Sequence, residues 1–160
     1  MVVELGAAGG GWTGVLLDRI GTSGTLVSVD IDAFAAPPGA LPVVGDVTHP
    51  RTVAAVRAAL GGGLADVVVA DMAPPFTGDR NGDRARVCDL ASEVVGGVAD
   101  AVLREGGSVA TKAHRCAEEQ DVFLECKAAF AKAVRYKPAA SRQDSAEIYI
   151  VGTGFRRGNE

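Results

Sequence analysis

Residues 1–13 read MVVELGAAGGGWT, and GVLLDRI carries the chain on to Ile20. Met1–Leu5 is a short apolar run suited to a buried strand. Glycine fills four of the next six positions, Gly6 to Gly11. Beyond them Trp12, Val15, Leu16 and Ile20 share one side of a helix predicted over Gly11–Ile20. A strand that passes through glycines into a helix lets backbone approach a ligand closely, supplies positive φ where needed and presents helix N-terminal NH groups. No Lys-Ser/Thr pair follows the glycines, so this is not a phosphate-binding P-loop. A loose dinucleotide pattern fits Gly6, Gly9 and Gly10, and a plain strand-to-helix turn explains the stretch as well.

The rest of the chain repeats the same alternation. Thr25–Asp30 (TLVSVD) reads as a second strand and Leu41–Val44 as a short third. Arg51–Leu60 is helical and is stopped by Gly61, Gly62 and Gly63. Ala65–Ala70 (ADVVVA) has no polar alternation, as expected of a central parallel strand covered on both faces. Asp83–Arg104 reads as a long helix, Ser108–Lys112 as a strand and Gln120–Ala133 as another helix. Ala133–Tyr136 and Glu147–Thr153 then form a closing pair of strands around a polar loop. Alternating β and α segments predict a doubly wound α/β fold, with a mostly parallel sheet and right-handed crossovers. With no repeat, linker or low-complexity segment, residues 1–160 are expected to form a single domain.

Composition excludes several classes. No run of about 18 apolar residues appears, so no transmembrane helix or membrane role is expected, and the N-terminus lacks the basic region of a signal peptide. Cys88, Cys116 and Cys126 form no CxxC pair; together with His49 and His114 they are too few and too scattered for a structural zinc site, so no metal is expected. An odd number of scattered cysteines favours reduced thiols inside a cell. The net charge of −4 does not mark a nucleic-acid binder. Its distribution is more informative: residues 1–111 hold 7 Lys and Arg against 13 Asp and Glu, whereas residues 112–160 hold 9 against 7. Lys127, Lys132, Arg135, Lys137, Arg142, Arg156 and Arg157 make the C-terminal third the basic part, although a solvated face accounts for such a bias equally well.

Three acids refine the glycine loop. Asp30 ends the second strand, where a carboxylate can accept the hydroxyls of a ribose. Asp46 follows the third strand, placed to meet an adenine edge, and Asp71 ends the central strand. In an open α/β sheet, ligands bind beyond the carboxyl ends of the strands. One such acid is ordinarily a turn or cap residue. Three at successive strand ends, beside a glycine loop, favour a nucleoside cofactor.

At this point the chain resembles the FtsJ (RrmJ-like) ribosomal RNA 2′-O-methyltransferases over nearly its whole length. That family's first motif, D-L-G-A-A-P-G-G-W-S, corresponds to Glu4–Thr13, ELGAAGGGWT. The segment Asp71–Gly78 (DMAPPFTG), followed by Asp83, is similar to S-D-M-A-P-N-x-S-G with its later Asp. Gly106–Lys112 (GGSVATK) is similar to G-G-S-F-V-V-K. Lys137–Phe155 (KPAASRQDSAEIYIVGTGF) is similar to K-P-x-x-S-R-x-x-S-x-E-x-Y-x-V-A-T-G. The resemblance implies S-adenosylmethionine as methyl donor and a seven-stranded methyltransferase sheet with its last strand antiparallel. It implies that Gly6, Gly10, Gly11 and Trp12 line the cofactor, with Asp30 at the ribose, Asp46 at the adenine and Asp71 beside the methionine moiety. Of the family's catalytic Lys-Asp-Lys-Glu set, it places the Asp at Asp71, the second Lys at Lys112 and the Glu at Glu147. Lys137, Ser141 and Arg142 are implied to contact RNA. The implied partner is ribosomal RNA in the large subunit or its precursor, with the protein a monomer outside the particle, in bacterial cytoplasm or mitochondrial matrix.

Two departures stand beside the likeness. The motif's Asp is Glu4 and its Pro is Gly9, which loosens the loop. The family carries its first catalytic Lys ahead of the first motif, and the sequence is expected to hold no counterpart. The chemistry nonetheless suits the residue types. Methyl transfer from a sulfonium needs the ribose 2′-oxygen aligned in line and relieved of its proton. Lys112 is the expected base, with the alternative that it stays charged and orients the hydroxyl beside Asp71 and Glu147. Two other functions stay open: a methyltransferase-like ribosome-assembly factor that binds rRNA and cofactor with little or no catalysis, and a nicotinamide oxidoreductase on the same fold.

Overall fold

The computed structural model describes residues 1–139, 141–142 and 145–158. Seven strands form one sheet: β1 (Val2–Leu5), β2 (Leu26–Asp30), β3 (Ala40–Val44), β4 (Ala65–Ala70), β5 (Leu103–His114), β6 (Phe130–Tyr136) and β7 (Glu147–Phe155). Their spatial order is β3-β2-β1-β4-β5-β7-β6. The first five pair in parallel, and β7 is antiparallel to both β5 and β6. The helices are α1 (Thr13–Ile20), α2 (Pro50–Ala59), α3 (Arg80–Glu93), α4 (Ala99–Val102) and α5 (Glu119–Ala129). Among the described residues no helix is long and apolar enough to cross a membrane.

The doubly wound reading holds. Val3, Val27 and Val68 on the central strands are fully buried, as continuous apolar strands between two layers of helices require. The order reverses between β1 and β4, the point where an open α/β sheet opens a crevice beyond its strand ends. The glycine loop after β1 and Asp71 after β4 both lie there.

Three elements differ most from the sequence reading. The helix placed at Asp83–Arg104 starts at Arg80, where the Asp79 carboxylate accepts the Asn81 NH at 3.2 Å as a cap, and it ends at Val102. A π-turn at Val94–Val98 interrupts it, and there Val94, Val95 and Val98 are all buried. The strand at Ser108–Lys112 is longer, beginning at Leu103 with a register shift against β4. Gly106, at φ 74°, makes that irregularity possible. The helix Gln120–Ala133 stops at Ala129, and Phe130 starts β6. Phe130 is 1 % exposed and packs on Phe155 with ring centroids 5.2 Å apart. A Cβ at Gly152 would come within 2.6 Å of the Phe130 ring, so β7 is recessed there to admit it. Burying that ring is worth about 1.5–3 kcal/mol, more than the few tenths per residue by which Ala and Lys prefer helix.

Candidate active site

A cavity of about 640 Å³ occupies the crevice, within the range of small-molecule sites. Gly6, Gly11, Trp12, Asp30, Asp46 and Asp71 line it, with Val47, Pro74 and Leu90 supplying apolar wall. Its floor depends on Gly6, which sits at φ 85° and whose missing Cβ would lie 2.7 Å from the Asp71 carbonyl oxygen. Only glycine lets the loop lie against the end of β4 there. The Gly6 NH donates to the Val29 carbonyl at 2.9 Å and the Asp71 NH to the Leu5 carbonyl at 3.0 Å, tying three strand ends together. Gly10 lies on the other side of the loop. It lines a smaller groove with Thr13, Phe34 and Pro37 rather than this cavity, and its NH donates to the Ala7 carbonyl at 2.9 Å.

Glu4, noted from the sequence only as a departure, is the polar hub beneath the loop. It is 3 % exposed. Its carboxylate accepts the Thr13 hydroxyl at 2.9 Å and the Ser28 hydroxyl at 2.7 Å, joining β1, β2 and the start of α1. A buried carboxylate without such partners would be costly; Thr13 and Ser28 were the signal available in the sequence, unreadable without the strand pairing.

Asp30 accepts the Ala8 NH at 2.8 Å on one oxygen and the Asp32 NH at 3.0 Å on the other. It therefore braces the glycine loop, and each oxygen keeps acceptor capacity toward the cavity. Asp46 accepts both the NH (2.9 Å) and the hydroxyl (2.8 Å) of Thr48 on a single oxygen, leaving the other open. The Thr48 NH, then its hydroxyl, hold Asp46 below the usual carboxylate range. Asp83 plays the same bracing part for the loop after β4. It accepts the Thr77 NH at 2.9 Å, the Thr77 hydroxyl at 2.8 Å and the Gly78 NH at 3.1 Å, and pairs with Arg86. Those bonds, led by the Thr77 NH, lower it to about 2.

At the rim the catalytic candidates converge. Lys112 Nζ lies 2.9 Å from Asp71 Oδ1, and its side chain is 12 % exposed. Tyr149, paired across β5 and β7 with Lys112, donates its hydroxyl to the same oxygen at 3.3 Å. Burial first, and then the charges of Asp71 and Glu147, push the Tyr149 hydroxyl upward, so it is a donor at neutral pH. Its ring packs on Trp12 at 5.5 Å between centroids. Trp12 thus joins the glycine loop to the Lys112–Asp71 pair. Glu147 pairs with His114 across the same strands, two positions beyond Tyr149, and its carboxylate makes no hydrogen bond or ion pair among the described residues. Burial, followed by the charge of Lys112, lowers His114 from its ordinary value, which keeps the imidazole neutral at pH 7. Tyr149 and His114 carried no assigned role in the sequence reading, because only strand pairing sets them beside Lys112 and Glu147.

The loop before β7 is partly tied down. Lys137 Nζ donates to the Ser145 carbonyl at 2.6 Å and the Ser141 NH to the Pro138 carbonyl at 3.0 Å, while Arg142 is exposed. Ala140, Gln143 and Asp144 of the same motif lie outside the described residues. The C-terminal basic bias is partly structural. Arg135 is held by Glu119 at 2.6 Å and lies 3.6 Å over the Phe123 ring, and Arg157 donates to the Asp100 carbonyl at 2.9 Å. Among the described residues no cluster of three or more His, Cys, Asp or Glu is placed to hold a metal.

The family model described as FtsJ-like methyltransferase matches residues 1–155. The chain is 38 % identical to ribosomal RNA large subunit methyltransferase E of Rhodopseudomonas palustris (strain TIE-1), covering 98 % of this chain and 67 % of that protein. It is 40 % identical to the protein of that name from Methanothermobacter thermautotrophicus, covering 97 % and 74 % respectively. The chain thus spans about two thirds to three quarters of these relatives. Among solved structures, a Plasmodium falciparum protein described as a ribosomal RNA methyltransferase superposes with a TM-score of 0.82 at 18 % identity, over 96 % of this chain and 85 % of its own. Human methyltransferase-like protein 13, solved in complex with SAH, gives 0.64 at 15 % over 99 % and 73 %. These two likenesses are of fold.

Proposed function

Since the chain belongs to the FtsJ-like methyltransferase family, we propose that it methylates large-subunit ribosomal RNA at a ribose 2′-oxygen, using S-adenosylmethionine. The observation that carries the reading is the Lys112–Asp71 pair at 2.9 Å, set at the rim of the cavity that the glycine loop builds.

The cavity suits the cofactor. A nucleoside with a charged amino-acid tail needs an acceptor for ribose hydroxyls, one for a base edge, and a loop without side chains where it passes closest. Asp30 and Asp46 keep open acceptor oxygens, and Gly6 gives a cradle that a Cβ would fill. Asp30 would hold the ribose, Asp46 the adenine, Gly6 and Gly11 the passage of the tail, and Trp12 the side toward the reacting centre. When bound, S-adenosylmethionine supplies an electrophilic methyl group on a sulfonium.

The chain's own residues do the rest. Asp71 fixes Lys112 Nζ at the rim, and Tyr149 shares the same carboxylate oxygen and fills one side. RNA lying over the crevice brings a ribose 2′-hydroxyl to Lys112 Nζ, the group placed at the rim to take its proton. Glu147, whose carboxylate has no hydrogen-bond or ion-pair partner among the described residues, lies on the same strand face and can hold the neighbouring ribose hydroxyl or receive the proton onward. Lys137, Ser141 and Arg142 present ammonium, hydroxyl and guanidinium groups to phosphate and ribose, the contacts by which RNA is positioned.

The test is transfer of labelled methyl from S-adenosylmethionine to undermethylated large ribosomal subunits, followed by alkaline hydrolysis of the rRNA. A 2′-O-methyl group leaves an alkali-resistant dinucleotide carrying the label. Label on a base would overturn the ribose assignment. Cofactor binding and particle binding without label would favour an assembly role.

A further inference from the structure

Cys88 on α3 and Cys116 in the bend between β5 and α5 bring their sulfurs to 3.4 Å. The two lie 28 residues apart in the chain. Both thiols also point at one acceptor, the His114 carbonyl, at 3.3 Å and 3.2 Å. Their exposures differ: Cys88 is 1 % exposed, whereas Cys116 is half-buried and reaches solvent. Cys126, fully buried on α5, has no thiol neighbour among the described residues.

We propose that Cys88 and Cys116 form a reversible dithiol–disulfide pair, a modification site oxidised by hydroperoxides. A disulfide needs a sulfur separation of about 2.05 Å. The gap is a little over an ångström, and one partner sits in an irregular bend, at Arg115–Ala117, that can close it. The division of labour follows from exposure. Cys116 meets the oxidant: its sulfur attacks the distal peroxide oxygen, the O–O bond breaks, and the departing alkoxide takes the thiol proton. Cys116 is then a sulfenic acid. The Cys88 sulfur attacks it, the S–O bond breaks, and hydroxyl leaves with the Cys88 proton as water. Two thiols and one hydroperoxide give one disulfide, one alcohol and one water. Burial pushes the Cys88 thiol up to about 12, so it stays protonated and is not the thiol that meets the oxidant. The bond joins α3 to the segment just after β5 and removes both donors from the His114 carbonyl, two residues from Lys112.

The test uses the reduced protein treated with equimolar tert-butyl hydroperoxide, alkylated without reductant and mapped by mass spectrometry. The expected result is loss of two of the three alkylatable thiols, a Cys88–Cys116 cross-linked peptide lighter by two hydrogens, and full recovery with dithiothreitol. In Cys88→Ser the Cys116 sulfenic acid is trapped by dimedone; in Cys116→Ser, Cys88 stays alkylatable after unfolding. Thermal melting confirms that both variants fold. Cys116 running on to sulfinic acid in the wild type while Cys88 remains a free thiol would overturn the proposal, as would no thiol loss at all. None of these readouts depends on methyl transfer.

Discussion

Lys112 and Asp71 form an ion pair at 2.9 Å between the end of β5 and the residue following β4, and the Tyr149 hydroxyl donates to the same Asp71 oxygen at 3.3 Å. One carboxylate oxygen therefore positions both the ammonium and the phenol at the mouth of the crevice. The chain separates these residues by dozens of positions, and the β4-β5-β7 neighbourhood brings them together.

That shared oxygen makes Tyr149 a positioning residue. Tyr149→Phe removes one neutral-donor bond and keeps the ring packed on Trp12, so kcat is expected to fall about fivefold, the equivalent of about 1 kcal/mol, with cofactor affinity nearly unchanged. Steady-state kinetics with calorimetric cofactor titration check it. A loss as deep as that of a lysine variant would contradict a role limited to positioning.

Gly6→Ala tests the cradle. Its φ of 85° costs a non-glycine residue about 1–2 kcal/mol, and the added Cβ meets the Asp71 carbonyl at 2.7 Å. Urea denaturation is expected to show at least that loss, and calorimetry no cofactor binding. Gly10→Ala, where a Cβ meets nothing within 4 Å, shows the backbone cost without the steric one.

Acid should loosen the loop after β4 through Asp83. Its carboxyl titrates at about 2 in the fold against an ordinary 3.8. A depressed folded value means stabilisation that is full above pH 4 and is lost as the pH falls from 3.8 toward 2. Thermal midpoints of wild type and Asp83→Asn, followed from pH 6 to pH 2, are expected to differ most above pH 4 and to converge at the acid end.

Arg142 is exposed in the loop between β6 and β7. If it contacts a phosphate, Arg142→Ala weakens binding of an rRNA fragment without changing cofactor affinity, and the slope of log K against log salt falls by about one. Fluorescence anisotropy across a salt series reads both quantities.

The fold was legible because apolar strands such as ADVVVA and the glycine stops are local signals. Boundaries failed where tertiary packing overrode them. Phe130 leaves an Ala-rich helix because the core offers it Phe155 and the space at Gly152. Leu103 begins a strand earlier than the pattern allows because Gly106 absorbs the irregularity. The cavity acids were readable as residues at strand ends. Their partners were not: Ser28 beneath Glu4 and Tyr149 beside Lys112 are set by strand register, which a single sequence does not display.

In the proposed reaction Lys112 carries proton removal during methylation of an rRNA ribose. The most direct measurement is single-turnover methyl transfer to undermethylated large subunits by wild type and Lys112→Ala, with cofactor affinity measured on both. The expected result is a rate lower by about 10²-fold or more in Lys112→Ala, the usual contribution of a general base, with cofactor affinity within a few-fold. A Lys112→Ala protein that methylates at the wild-type rate would contradict it.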